Sequence, residues 1–212
     1  MKINFVLIGE GSSDLRLVEH IESILVGEGF TEVNGEAPDF SVFKNKIGCS
    51  VGEKLQAIVS HYPSADVIFV HRDADRAGID ERVREIFEAI PNCIRHHKVI
   101  PVVPVTMLET WLLADAEAIK RVAGNRGYRG DLPNVPALRA LENVRDPKAL
   151  LLQTLCEVSG TTGARLTKFK KRFGEMRARL TFDLDPDGPV SDLESYKVFR
   201  REISEFAVSR IK

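Results

Sequence analysis

The stretch FVHRDADRAG, Phe69 to Gly78, ends a hydrophobic run on two carboxylates set two residues apart. Just upstream, DVIFVH (66–71) is almost continuously apolar, the pattern of a strand covered on both faces. Asp73 and Asp75 thus fall at the carboxyl tip of a buried strand, with Arg72 and Arg76 beside them. In extended backbone an i, i+2 pair points to one side. Two close carboxylates repel each other and each resists desolvation, which a divalent cation relieves. On that reading, removing either acid leaves the metal-free fold no less stable.

Outward from this stretch, strand and helix signals alternate. INFVLIG (3–9) is another buried-strand run, ending at Gly9. Ser12 or Ser13 can cap the next segment, where Leu15, Val18, Ile21 and Leu25 share a helical face and Gly27 and Gly29 end it. FSVFK (40–44) reads as the second strand. Val51, Leu55, Ile58 and Val59 mark a helix stopped near Tyr62-Pro63, and Val83, Ile86, Phe87 and Ile90 form the stripe of another. HKVIPVV (97–103) is the fourth strand, with Pro101 favouring an edge. The alternation implies an α/β fold over residues 1–105, a four-stranded parallel sheet with flanking helices. Residues 106–212 read as a mostly helical extension packed on it, with Gly and Pro breaks at 124–136 and 185–189. Asp146-Pro147 is a helix start, and Ser191 and Glu194 have capping-box spacing before a helix carrying Tyr196, Phe199, Ile203 and Phe206.

The 212 residues are 43% hydrophobic and 29% charged, a globular balance unlike that of disordered or membrane chains. A net charge of −1 gives no global field toward nucleic acid, so any such contact needs a local patch. Cys49, Cys93 and Cys156 form no CxxC pair, against a structural zinc site or a disulfide framework. The N-terminal apolar run is too short for a signal-peptide core, and no stretch has membrane-spanning length. A cytoplasmic location without a membrane partner is expected.

In an open parallel sheet, ligands sit beyond the carboxyl ends of the strands. Glu10, between Gly9 and Gly11, follows the first strand and meets Asp73 and Asp75 if the first and third strands are neighbours. Such hard oxygen donors suit Mg²⁺ (or Mn²⁺), which keeps waters that phosphate oxygens can replace. The plainer alternative is that Asp73 or Asp75 caps the following helix and Glu10 is a turn residue.

GEGSSD (9–14) followed by HRDADRAG (71–78) resembles the Toprim domain of primases, topoisomerases, OLD-type nucleases and small RNA-maturation nucleases. The matching residues are Glu10 and Gly11, Asp14 at a frequent acidic position, and Asp73, Asp75 and Gly78 as D-x-D-x-x-G. The resemblance covers about half the chain and implies that Glu10 serves acid/base chemistry or metal binding and that the Asp pair binds magnesium. LETWLLAD (108–115), with the short length, resembles standalone Toprim-like proteins, some suspected of phage defence beside an ATPase partner. The chain lacks a phosphate-loop motif, a recognisable cleavage-rejoining tyrosine and a primase module.

The implied activity is a magnesium-dependent nuclease on DNA or RNA, with Glu10, Asp73 and Asp75 as ligands. The alternatives are an aspartyl phosphatase with Asp73 as nucleophile, and a non-catalytic module that binds nucleic acid or an ATPase. Arg76 is preferred over Arg72 for phosphate contact, against a surface ion pair with Asp80 or Glu81. Glu109 is either a further ligand or base, or the partner of Thr106 in a capping box. Asp115 reads as a helix cap, Trp111 and His71 as packed residues, and Arg95 to His97 as a turn. RLTKFKKRFGEMRAR (165–179) reads as one helix with an apolar stripe and a basic outer face. Lys168, Lys170, Lys171 and Arg172 are its candidate phosphate contacts, a solvated face being the alternative. Lys148 and Lys197 are further candidates for facing the site.

Overall fold

The computed structural model describes residues 1–11, 14–43, 46–94, 98–132 and 134–211. The expected Ser12 or Ser13 cap and the turn at Arg95 to His97 lie outside these residues. Strands β1 (Lys2–Ile8), β2 (Glu32–Glu36), β3 (Val67–His71) and β4 (Val99–Val102) form one parallel sheet in the order β2-β1-β3-β4. Helices α1 (Leu17–Gly27), α2 (Val51–His61) and α3 (Ile79–Glu88) connect them. Strand pleating sorts the core into two layers. Phe5, Leu7, Val67, Phe69 and Val102 pack toward α1, whereas Val6, Ile8, Ile68 and Val70 pack toward α2 and α3. As its proline suggests, β4 is an edge strand.

The second strand differs from expectation. Phe40–Val42 is a 3-10 turn, in which the Asp39 carboxylate accepts from the Ser41 amide at 2.9 Å, and β2 is instead EVNGE. The F-V-F alternation mimics a strand, but Asp39 supplies the local hydrogen bond that favours a turn. As an edge strand with alternating exposure, β2 needs only Val33 packed against the core. A Cβ on Gly35 would sit 2.2 Å from the Phe5 ring, so glycine there admits a core aromatic.

The C-terminal half comprises α4 (Glu109–Leu112), α5 (Ala116–Val122), α6 (Pro147–Ser159), α7 (Gly163–Lys171), α8 (Phe173–Phe182) and α9 (Glu194–Ile211). It shares one apolar cluster with a sheet face: Phe199 meets Phe69 edge-on at 6.3 Å and stacks on Trp111 at 5.7 Å. Asp146 caps α6 and Asp115 caps α5, as the sequence indicates. The expected capping box before α9 does not form. Ser191 donates instead to the Gly188 carbonyl at 2.7 Å, while the Glu142 carboxylate accepts from the Ser195 amide at 2.9 Å. The single basic helix expected over 165–179 is broken at Arg172, where α7 ends and α8 begins. Among the described residues, no helix is long and apolar enough to cross a membrane.

Candidate active site

Because β1 and β3 are parallel neighbours paired Ile8 to Val70, the loops carrying Glu10 and Asp73 leave the same end of the sheet side by side. Beyond the last ladder pair the backbone contacts continue. Ala74 N–H donates to the Pro104 carbonyl at 3.2 Å, and Asp75 N–H donates to Thr106 at 2.8 Å. The two residues of that last pair both have left-handed backbones, Asp75 with φ 47° and Thr106 with φ 62°. For a β-branched threonine this conformation is a genuine outlier, and such strain concentrates at functional sites.

This turn overturns the expectation that Asp73 and Asp75 share one side of an extended strand. The chain leaves β geometry after His71, so the period-2 rule no longer applies. Asp73 turns inward: its Oδ1 accepts from the Leu108 amide at 2.9 Å and lies 3.4 Å from His71 Nε2. Asp75, half exposed, faces Arg82 at 3.4 Å. Neither caps α3, whose N-cap is Gly78 with φ 88°.

From Asp73 a row of alternating charges runs into the interior. His71 Nδ1 lies 3.4 Å from Asp14, Asp14 is 2.9 Å from Arg177, and Arg177 is 2.8 Å from Glu109. His71, Asp14 and Glu109 are all buried. Burial alone would lower the His71 pKa, but its two flanking carboxylates outweigh that and raise it to about 9. Burial would likewise raise Asp14; His71 and Arg177 reverse the effect and hold its carboxyl well below the usual range. Glu109 has its pKa raised by burial, with Arg177 partly opposing.

A second row lies nearer solvent. Glu10 contacts Arg72 at 2.8 Å, Arg72 contacts Glu85 at 3.1 Å, Glu85 contacts Arg82 at 2.7 Å, and Arg82 reaches Asp75. The Glu10 pKa is raised by burial, opposed by Arg72 and reinforced by Asp73 and Asp75. Six acids (Glu10, Asp14, Asp73, Asp75, Glu85, Glu109) face four bases (His71, Arg72, Arg82, Arg177), a net of two negative charges with all ten ionised.

That surplus and its hard oxygen chemistry bear on a magnesium site. Among the described residues no three acidic, histidine or cysteine side chains converge into a ready cation cage. Mg²⁺ seldom uses such a cage and is commonly held by one or two carboxylates plus waters. The partly exposed carboxylates of Glu10, Asp73 and Asp75 fit that looser mode.

Arg72 rather than Arg76 makes the contact with Glu10; Arg76 is exposed at the lip of the turn, and Glu81 pairs with Arg84. Glu109 forms no capping box with Thr106, whose hydroxyl donates to the Val144 carbonyl at 3.3 Å. Lys148 is exposed on α6 and is among the charges Glu109 feels, whereas Lys197 pairs with Glu194. Lys168, Lys170, Lys171 and Arg172 are exposed, with Arg172 paired to Glu175. Arg177, which sequence reading placed on the basic outer face, is instead the cation of the inner row. It lies on α8, four residues after Phe173 and three before Leu180, within reach of Asp14 and Glu109. Compared with known family models, curated proteins and solved structures, the chain matches none.

Proposed function

We propose that the chain is a Toprim-like phosphodiesterase that hydrolyses DNA or RNA with Mg²⁺ or Mn²⁺. The observation that carries this reading is the placement of Glu10, Asp73 and Asp75 at the carboxyl ends of the two central, adjacent parallel strands, where an open α/β sheet binds its ligands. The strained pair Asp75 and Thr106 at the same lip supports it. When bound, the cation supplies Lewis acidity to the phosphoryl group. Asp73 and Asp75, with Glu10, would hold it. The burial-raised Glu10 carboxyl is suited to accepting a proton from the attacking water. Arg72 and Arg82 are placed to exchange carboxylate partners for phosphate oxygens, with Arg76 outside them. Glu109, sealed against Arg177, takes a supporting role.

Lys168, Lys170, Lys171 and Arg172 are the proposed phosphate-backbone contacts, and the Toprim resemblance extends the proposal to an ATPase partner and phage defence. A non-catalytic binding module is the second reading, favoured by the cationic partner that each strand-end acid already has. An aspartyl phosphatase fits less well, because Asp73 is occupied by the Leu108 amide and His71.

Cleavage of labelled single- and double-stranded DNA and RNA in Mg²⁺ or Mn²⁺ tests the proposal. The Asp73→Ala, Asp75→Ala double variant should lose cleavage yet bind substrate in EDTA. Neutralising the four basic residues should weaken binding across unrelated sequences and flatten its salt dependence. No cleavage by the unaltered protein, with binding intact, would replace the nuclease by the binding module.

A further inference from the structure

Beside Glu10 lies a cleft that the acids do not account for. It encloses about 660 Å³, with the Gly9-Glu10-Gly11 loop on one wall and Phe40, Phe43, Lys46 and Lys54 among the residues of the others. That volume lies in the range of small-ligand sites. The Phe40 and Phe43 rings stack at 5.6 Å and 25°, and both are only partly buried. Lys54 links the two walls: its ammonium lies 5.7 Å from the Phe40 ring centre and donates to the Gly9 carbonyl at 2.8 Å. A hollow of about 920 Å³ shares the Phe43 and Lys46 wall and extends it toward Tyr62.

The lining combines aromatic faces with two ammonium groups, and Glu10 stands at the end nearest β1. A purely apolar ligand would make no use of exposed Lys46, and a simple anion would leave the rings unused. A planar group carrying a phosphate uses both. We propose that this cleft receives an unpaired nucleotide next to the phosphate that Arg72, Arg82 and a cation on the strand-end acids would hold, its base against the Phe40–Phe43 pair and its own phosphate near Lys46 and Lys54. The protein then selects single-stranded or frayed nucleic acid over an intact duplex, because paired and stacked bases have no free face to offer. The inference rests on the nuclease reading for the neighbouring phosphate; its binding half needs no metal.

Fluorescence anisotropy in EDTA separates the two. The probes are a short labelled oligothymidylate, the matching oligouridylate and a blunt DNA duplex. The Phe40→Leu, Phe43→Leu variant should bind one or both single strands about ten-fold or more weakly, in keeping with the worth of base–aromatic stacking. Its duplex affinity should hardly change. Lys46→Ala should reduce the single-strand salt slope by about 0.7, the share of one phosphate contact. Single-strand binding unchanged in a Phe variant with wild-type circular dichroism overturns the inference, as does an equal loss for the duplex. If the Phe variant misfolds, exposed Lys46 carries the test, and an unchanged salt slope overturns it. Phe-dependent binding without cleavage in Mg²⁺ or Mn²⁺ supports the cleft while removing the nuclease reading.

Discussion

The two rows of charge at the sheet's carboxyl end use the same chemistry in different surroundings. The inner row, Glu109–Arg177–Asp14–His71–Asp73, lies mostly out of water. The outer row, Glu10–Arg72–Glu85–Arg82–Asp75, keeps water at its edge. Losing one partner from a buried row strands a desolvated charge, whereas an exposed pair is exchanged for water at little cost. The inner row is therefore suited to fixing Asp73 and the loop ends. The outer row is suited to trading its internal contacts for a cation and a phosphate.

The contrast breaks most sharply at Arg177. Arg177→Ala should cost about 3–5 kcal/mol in urea unfolding, because it removes a guanidinium from between two buried carboxylates, Glu109 and Asp14. The Asp14→Ala, Arg177→Ala double variant should lose less than the sum of its parts. Additive losses would dissolve the row into separate contacts.

The next effect follows from His71. Its folded pKa of about 9 lies above the ordinary 6.5, so the folded chain holds the proton more tightly. The stabilisation is complete below about pH 6.5 and drains away as pH rises through about 9. Relative to a His71→Gln variant, the wild type should lose on the order of 3 kcal/mol across that window. Asp14 titrates with the opposite sign, its folded pKa being lowered. Its stabilisation is present above the ordinary carboxylate pKa and is lost as pH falls below it. Parallel pH profiles for wild type and His71→Gln between pH 6 and 10 would contradict the charged histidine.

A smaller difference separates the two aspartates. Asp73→Ala should cost about 1–3 kcal/mol without metal, because the buried Leu108 amide loses its acceptor. Asp75→Asn, at a half-exposed site and with a side chain that tolerates the left-handed backbone, should stay within about 0.5 kcal/mol. Charge repulsion alone predicts no loss at either position; the Leu108 hydrogen bond is what changes that for Asp73. Equal melting curves for the two variants would restore the repulsion picture.

The legible parts of the sequence were those where one physical requirement dominated. Strands β1, β3 and β4 are buried on both faces, so their apolar runs announced them, and the acids following β1 and β3 fall together at the sheet's carboxyl end. At the edge, β2 needs little apolar content, so EVNGE gave no signal and FSVFK competed with it. Arg177 was hidden among the basic residues of 165–179, although its spacing from Phe173 and Leu180 sets it beside the apolar stripe. Asp14 carried a signal only through the Toprim resemblance. The placement of His71 between two acids depends on α8 and the β1 loop closing over the same strand end, a long-range event that local pattern does not encode.

The most direct measurement is calorimetric titration of Mg²⁺ and Mn²⁺ into the metal-free protein and its Asp73→Asn, Asp75→Asn double variant. The asparagines preserve shape while removing both charges. Saturable binding by the wild type that the variant loses is the predicted result. Matching isotherms, or no binding by either, would contradict a cation held at the ends of β1 and β3.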